Sequence, residues 1–158
     1  MQDSKVGNRR IDLTTMTSPP KLPLSLFNLV TFLLNRAAKI VLEQVEAEMS
    51  PFGIRAPHYV VMLLLTQDNM LSQKEIGERL RLDRNMMVRV TDELEQMGMI
   101  SRRRDPKDRR YYLISVTPEA EDMLLQVGEK VSQADAQVVN QLTQEELDQL
   151  RLLLSKLI

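Results

Sequence analysis

The chain has 158 residues, a formal charge of −1, one histidine and no cysteine. Without cysteine there is no thiol switch, disulfide framework or thiolate metal site, and His58 alone builds no imidazole site. No acidic cluster has a ligand-loop spacing, and no phosphate-binding glycine loop or nucleophile motif marks an enzyme, so neither metal nor other cofactor is expected. Hydrophobic residues make up 43% but aromatics only 4%, so the core is built from Leu, Val, Ile and Met. The ten methionines either stand in for leucine or line an adaptable pocket. The length suits one domain, alone or with a joining extension. The apolar run at 26–34 is broken by Asn28 and Thr31 and is too short to span a bilayer. No secretory pattern opens the chain, so a soluble cytoplasmic protein is expected.

Residues 1–22 carry Thr, Ser and prolines with little apolar periodicity, which predicts a flexible arm. From Leu24 to Met49, apolar residues recur at helical spacing, Leu26, Leu29, Val30, Leu33, Leu34, Ala37, Ile40, Val41 and Val45. One long amphipathic helix follows, stopped by Ser50, Pro51 and Gly53. A second helix, from Ala56 or Pro57 to Gln67, has a core apolar nearly all round and is expected at the buried centre.

Ser72 and Glu75 form a capping box for a third helix, with Ile76 and Leu80 as its inner face. Asp83 caps a fourth helix and Gly98 ends it in the left-handed region. Met87, Val90, Leu94 and Met97 fall on its inward stripe, leaving Arg84, Asn85, Val88, Arg89 and Asp92 elsewhere around the wheel. Then comes RRRDPKDRR, Arg102–Arg110, with six cations and two anions. Asp-Pro is a turn signal, and the flanks MIS and YYLISV read as strands. The segment is therefore a hairpin with arginine on its tip and arms. Thr117 and Pro118 start a further helix running through to Leu142, with Gly128 marking a bend or a close contact. Thr143 and Glu146 box the last helix, whose Leu147, Leu150, Leu153, Leu154 and Leu157 form a broad stripe. The first and the last two helices carry more apolar face than one small module needs, and an intermolecular helical interface would bury it.

Two capped helices followed by a basic hairpin constitute a winged helix-turn-helix. Residues 72–110 hold eleven cations against eight anions, whereas 119–158 hold three against eight. A basic middle in an otherwise acidic chain suits a phosphate backbone. From Leu71 to Pro118 the sequence also resembles the MarR family of bacterial transcription regulators. The resemblance lies in the helix end V-x-x-L-E-x-x-G-x-I, the wing D-P-x-D-R-R and the hydrophobic-Val-Thr before a helix. It departs at Val116–Ala120, where relatives often continue Leu-Thr-x-x-Gly, and at Asn85–Met87, where relatives often have small hydroxyl residues. The resemblance, covering about residues 24–158, implies a mainly α fold with a small β-hairpin wing and N- and C-terminal dimerisation helices. The expected organisation is an arm over 1–22, a dimerisation helix over 23–50, a winged helix-turn-helix over 54–118 and dimerisation helices over 119–158. It also implies a homodimeric regulator, a repressor or activator, on a pseudo-palindromic operator in double-stranded DNA. Such regulators are often released by a small aromatic or anionic effector.

In that frame the helix opened by Asp83 lies in the major groove with its first turn nearest the bases. Arg84 and Arg89 suit guanine or phosphate, Asn85 suits adenine, and Met86 suits a thymine methyl or the core. Ser72 and Lys74 are expected to meet phosphates. Arg103, Arg104, Lys107 and Arg109 supply the wing's charge, and by resemblance Asp108 pairs with Arg110 and orients it. Arg55 and His58 are candidates for an anionic effector, against the plainer reading of a histidine that binds no ligand. The competing function is a winged-helix docking module that binds protein instead of DNA. Structured RNA is disfavoured because its deep, narrow groove excludes a recognition helix.

Overall fold

The computed structural model describes residues 22–158. The arm expected over 1–22 therefore lies outside the described residues but for its last position. Two compact units divide the chain, one ending at Val41 and the other running from Leu42 to Ile158. In the first unit the expected single helix is broken. Helix α1 covers Leu24–Phe27 and ends on Asn28, and α2 begins at Val30 and runs to Met49, crossing into the second unit. Asparagine at the break favours local turns over helix interiors, a preference that the apolar spacing hides. Phe27 and Phe32 meet edge to face at 6.3 Å across this break. Leu29, Val30, Leu34 and Ile40 remain exposed.

The second unit opens on the end of α2, where Met49 is buried and Val45 packs against the core. A 3-10 turn over Ser50–Phe52 closes on Gly53 at φ 71°. Helix α3, Ala56–Gln67, buries His58, Val61, Met62 and Leu65. Val60 and Leu63 are exposed on α3, so this helix is not enclosed all round. Strand β1 (Leu71–Ser72), α4 (Gln73–Leu80) and α5 (Arg84–Gln96) follow. Strands β2 (Ile100–Arg104) and β3 (Tyr112–Val116) form the hairpin. The sheet order is β1-β3-β2, antiparallel throughout. Strand β1, which sequence periodicity did not reveal, is only two residues long, too short for any alternation to register.

Around α3 the core gathers Ile76 from α4, Met87, Val90 and Leu94 from α5, Ile100 and Ile114 from the sheet, and Ala120, Leu124 and Val127 from the helix after the hairpin. Helix α6 spans Pro118–Val138 without interruption and ends short of the expected Leu142. At Gly128 an added Cβ would lie 3.5 Å from Tyr59 Oη, an ordinary van der Waals contact. Helix α7, Gln144–Ser155, has the expected capping box at Thr143 and buries none of its residues. Mainly helical, with a small three-stranded sheet, the second unit is a winged helix-turn-helix.

Candidate nucleic-acid interface

Helix α4 starts as its sequence dictates. The Ser72 hydroxyl accepts from Glu75 N–H at 3.3 Å, while Glu75 Oε2 accepts from both Ser72 N–H (2.8 Å) and its hydroxyl (2.7 Å). These bonds hold the Glu75 carboxyl below its usual range. They also occupy Ser72, so its own N–H and hydroxyl are already partnered. Lys74 stands exposed in the same first turn, 3.8 Å from Glu78. The turn between α4 and α5 folds back closely: Leu82 N–H donates to the Gly77 carbonyl at 2.9 Å. A Cβ on Gly77 would press on the Leu82 carbonyl at 3.3 Å, which accounts for glycine there.

Asp83 caps α5 by accepting from the N–H groups of Asn85 (2.9 Å) and Met86 (3.0 Å). Gly98, at φ 72°, ends the helix in the left-handed conformation that its sequence predicts. Met87, Val90 and Leu94 face inward, and Met97 is half-buried. Arg84, Asn85, Val88 and Arg89 are exposed. Met86 is half-buried against the core, and the Arg89 guanidinium reaches its Sδ at 3.1 Å.

On the wing, Arg103, Arg104, Lys107, Arg109 and Arg110 are all exposed. Asp108 takes Arg110 in a forked contact, Nη2 to Oδ2 at 2.6 Å and Nε to Oδ1 at 3.0 Å, and also accepts its backbone N–H. The guanidinium pushes the Asp108 carboxyl down, and the carboxylate raises Arg110. Asp105 caps the tip by accepting from Lys107 N–H at 2.7 Å. The arginines also lie over the wing tyrosines, Arg104 over Tyr112 at 5.7 Å and Arg110 over Tyr111 at 5.9 Å. Sequence reading passed over both tyrosines. Between the wing and the starts of α4 and α5 runs a cleft of about 590 Å³, its walls including Lys74, Arg84, Val88, Arg110 and Tyr111. The wing tip and the recognition helix thus line one shared groove.

Two expectations change. Arg102, counted among six wing cations, is half-buried, with Nη2 2.5 Å from Asp92 Oδ1 and Nε 3.3 Å from Glu95 Oε2. Strand alternation gives the reason: Arg102 lies two residues from buried Ile100, on the same face. Arg55 and His58 are bonded to the protein itself. His58 is 3% exposed, its Nδ1 accepts from Arg55 N–H at 3.1 Å, and Nε2 lies 2.7 Å from Glu93 Oε2. Since Nδ1 accepts, Nε2 carries the proton and donates to Glu93. Arg55 Nη2 reaches the same carboxylate oxygen at 2.8 Å, and His58 foremost lowers the Glu93 carboxyl. Among the described residues no group of three His, Asp or Glu side chains is placed to hold a metal ion. Nor is any described helix long and apolar enough to cross a membrane.

The sequence pattern of the MarR family matches residues 54–112, from the approach to α3 through the first residue of β3. An organic hydroperoxide resistance transcriptional regulator of Bacillus subtilis (strain 168) is 32% identical over 96 residues. Over residues 54–112 the chain resembles the MarR family. The match covers 61% of this chain and 65% of that regulator's length. Among solved structures, the transcriptional repressor CouR bound to a 23-mer DNA duplex is 26% identical, with a TM-score of 0.81 over 87% of this chain and 99% of the other. A mutant MarR from E. coli complexed with operator DNA shares the fold at 22% identity, with a TM-score of 0.76 over 82% and 93% of the two chains. In this winged helix-turn-helix, α5 occupies the place of a recognition helix and β2–β3 that of a wing.

Proposed function

We propose that this chain is a dimeric, sequence-specific DNA-binding transcription regulator, a repressor acting in the cytoplasm on a pseudo-palindromic operator. The observation that carries the reading is the groove walled by both Arg84 of α5 and Arg110 of the wing. Exposed cations on a helix start and on a hairpin tip, facing one channel, suit a helix in the major groove with a wing beside it. The DNA-bound state of CouR, a structural relative along nearly its whole length, supports the same reading.

Residues 54–118 form the DNA-binding domain in this account, and 23–50 and 119–158 join the two copies. Arg84, Asn85 and Arg89 meet base edges or phosphates, with Met86 at their margin. Lys74, Arg103, Arg104, Lys107 and Arg109 bind the backbone, and Ser72 fixes the helix start that faces it. Asp108 aims Arg110. The chain carries no catalytic role. A small aromatic or anionic effector releases the operator; Arg55 and His58 are left out of its site because both already hold Glu93. Whatever the Bacillus relative's hydroperoxide response requires, this chain has no cysteine with which to sense a peroxide through a thiolate.

Selection of duplexes from a random library by the purified protein tests the proposal, repeated with and without candidate aromatic acids. Enrichment of an inverted repeat is the expected result. Absence of any enriched sequence, with no salt-dependent shift of random duplex, would favour a protein-docking module instead.

A further inference from the structure

We infer that Arg102 is a positioning residue that braces the wing against the recognition helix, and not a contact to DNA. The inference rests on the DNA-binding reading above. Four neighbouring residues on α5 each reach another element. Thr91 receives Gln73 Nε2 of α4 at 2.5 Å, Glu93 holds Arg55 and His58 at the start of α3, and Asp92 and Glu95 both hold Arg102 of β2. Arg102 alone among these links ties α5 to the wing.

Its place in the strand explains how. Arg102 pairs in register with fully buried Ile114, so its side chain leaves the sheet on the side where an apolar residue would ordinarily sit. The side chain is 23% exposed, and its Nε is shut off from solvent without a well-aligned hydrogen-bond acceptor. A guanidinium in that position is held by the charge of both α5 carboxylates, with Nη2 donating to Asp92 and the Glu95 carboxylate 3.3 Å from Nε. The other wing arginines are all exposed, and of these Arg110 is held by a carboxylate of the wing itself, not of α5.

Charge alone does not account for Asp92 and Glu95. They stand about half-exposed, at 46% and 45%, on the helix that meets a polyanion. Unopposed carboxylates there repel phosphate, so a site built only for attraction would omit them. A brace requires them. The two explanations predict opposite signs when the carboxylates are neutralised.

The test uses the full chain and the duplex enriched by selection, with random duplex as control. The double variant Asp92→Asn/Glu95→Gln makes each protomer more positive by two charges. The brace predicts operator binding weaker by about tenfold, the size of a coupling between neighbouring charged groups. Random-duplex binding is expected to be no weaker than wild type. Arg102→Lys, which keeps the charge but loses the fork, is expected to weaken operator binding with an unchanged salt slope. The exchange Asp92→Arg/Arg102→Asp is expected to regain affinity relative to Arg102→Asp alone. Operator binding by the double variant as tight as wild type, or tighter, overturns the brace. So does a salt slope lowered by about one per protomer in Arg102→Gln, which removes the charge, the mark of a lost phosphate contact. Loss of binding that merely follows loss of folded protein, read by circular dichroism, also overturns it. Failure of the wild type to enrich any duplex defeats the DNA-binding reading itself.

Discussion

Asp108 and Arg110 show how a wing residue two positions from its partner is held ready. The forked contact fixes the guanidinium direction while leaving Arg110 exposed, so little ordering entropy is left for the moment of binding. Arg110→Ala is expected to weaken operator binding by about 1–3 kcal/mol, and Lys107→Ala to lower the salt slope by about one per protomer with little change in sequence preference. Titration of operator binding against salt measures both. The Ser72–Glu75 box gives a pH signature. Glu75 is depressed in the folded protein, chiefly by its bond from Ser72, so its contribution is present above the unfolded carboxylate value and is lost as pH falls through the folded one. The melting-temperature gap between wild type and Glu75→Ala is therefore expected to be open at neutral pH and to close in acid. A gap independent of pH would contradict that assignment.

At the scale of elements, the caps were the most legible feature. Ser72, Asp83, Thr117 and Thr143 each accept the predicted backbone N–H groups, because capping is local chemistry with a fixed spacing. The inward stripe of α5 was legible for the same reason. What the sequence concealed came from contacts distant along the chain. Strand β1 exists only because β3 pairs with it, and the break at Asn28 is lost within an otherwise regular apolar spacing. Arg102 was miscounted because charge was tallied along the segment without applying the two-residue alternation of a strand. His58 lay beyond reach since Glu93 is 35 residues away. Gly98→Ala tests the local logic: its positive φ penalises a side chain, so thermal or denaturant unfolding should show a loss of about 1 kcal/mol.

At the scale of the whole molecule, the exposed Leu150, Leu153 and Leu154 of α7, with Leu157 just beyond its end, are the clearest support for the proposed second copy. One apolar stripe on a helix that buries nothing of its own is costly to leave in water. Leu153→Glu is expected to shift the protein toward monomer in sedimentation, and to reduce operator affinity toward that of a single half-site.

The proposed dimer sets a fixed distance between the sequences its two recognition units read. The most direct measurement is affinity for the selected operator after about five base pairs, half a helical turn, are inserted between its half-sites. A dimer holding both units on one face of the duplex should then bind no better than it binds a lone half-site. Affinity unchanged by the insertion would contradict that account.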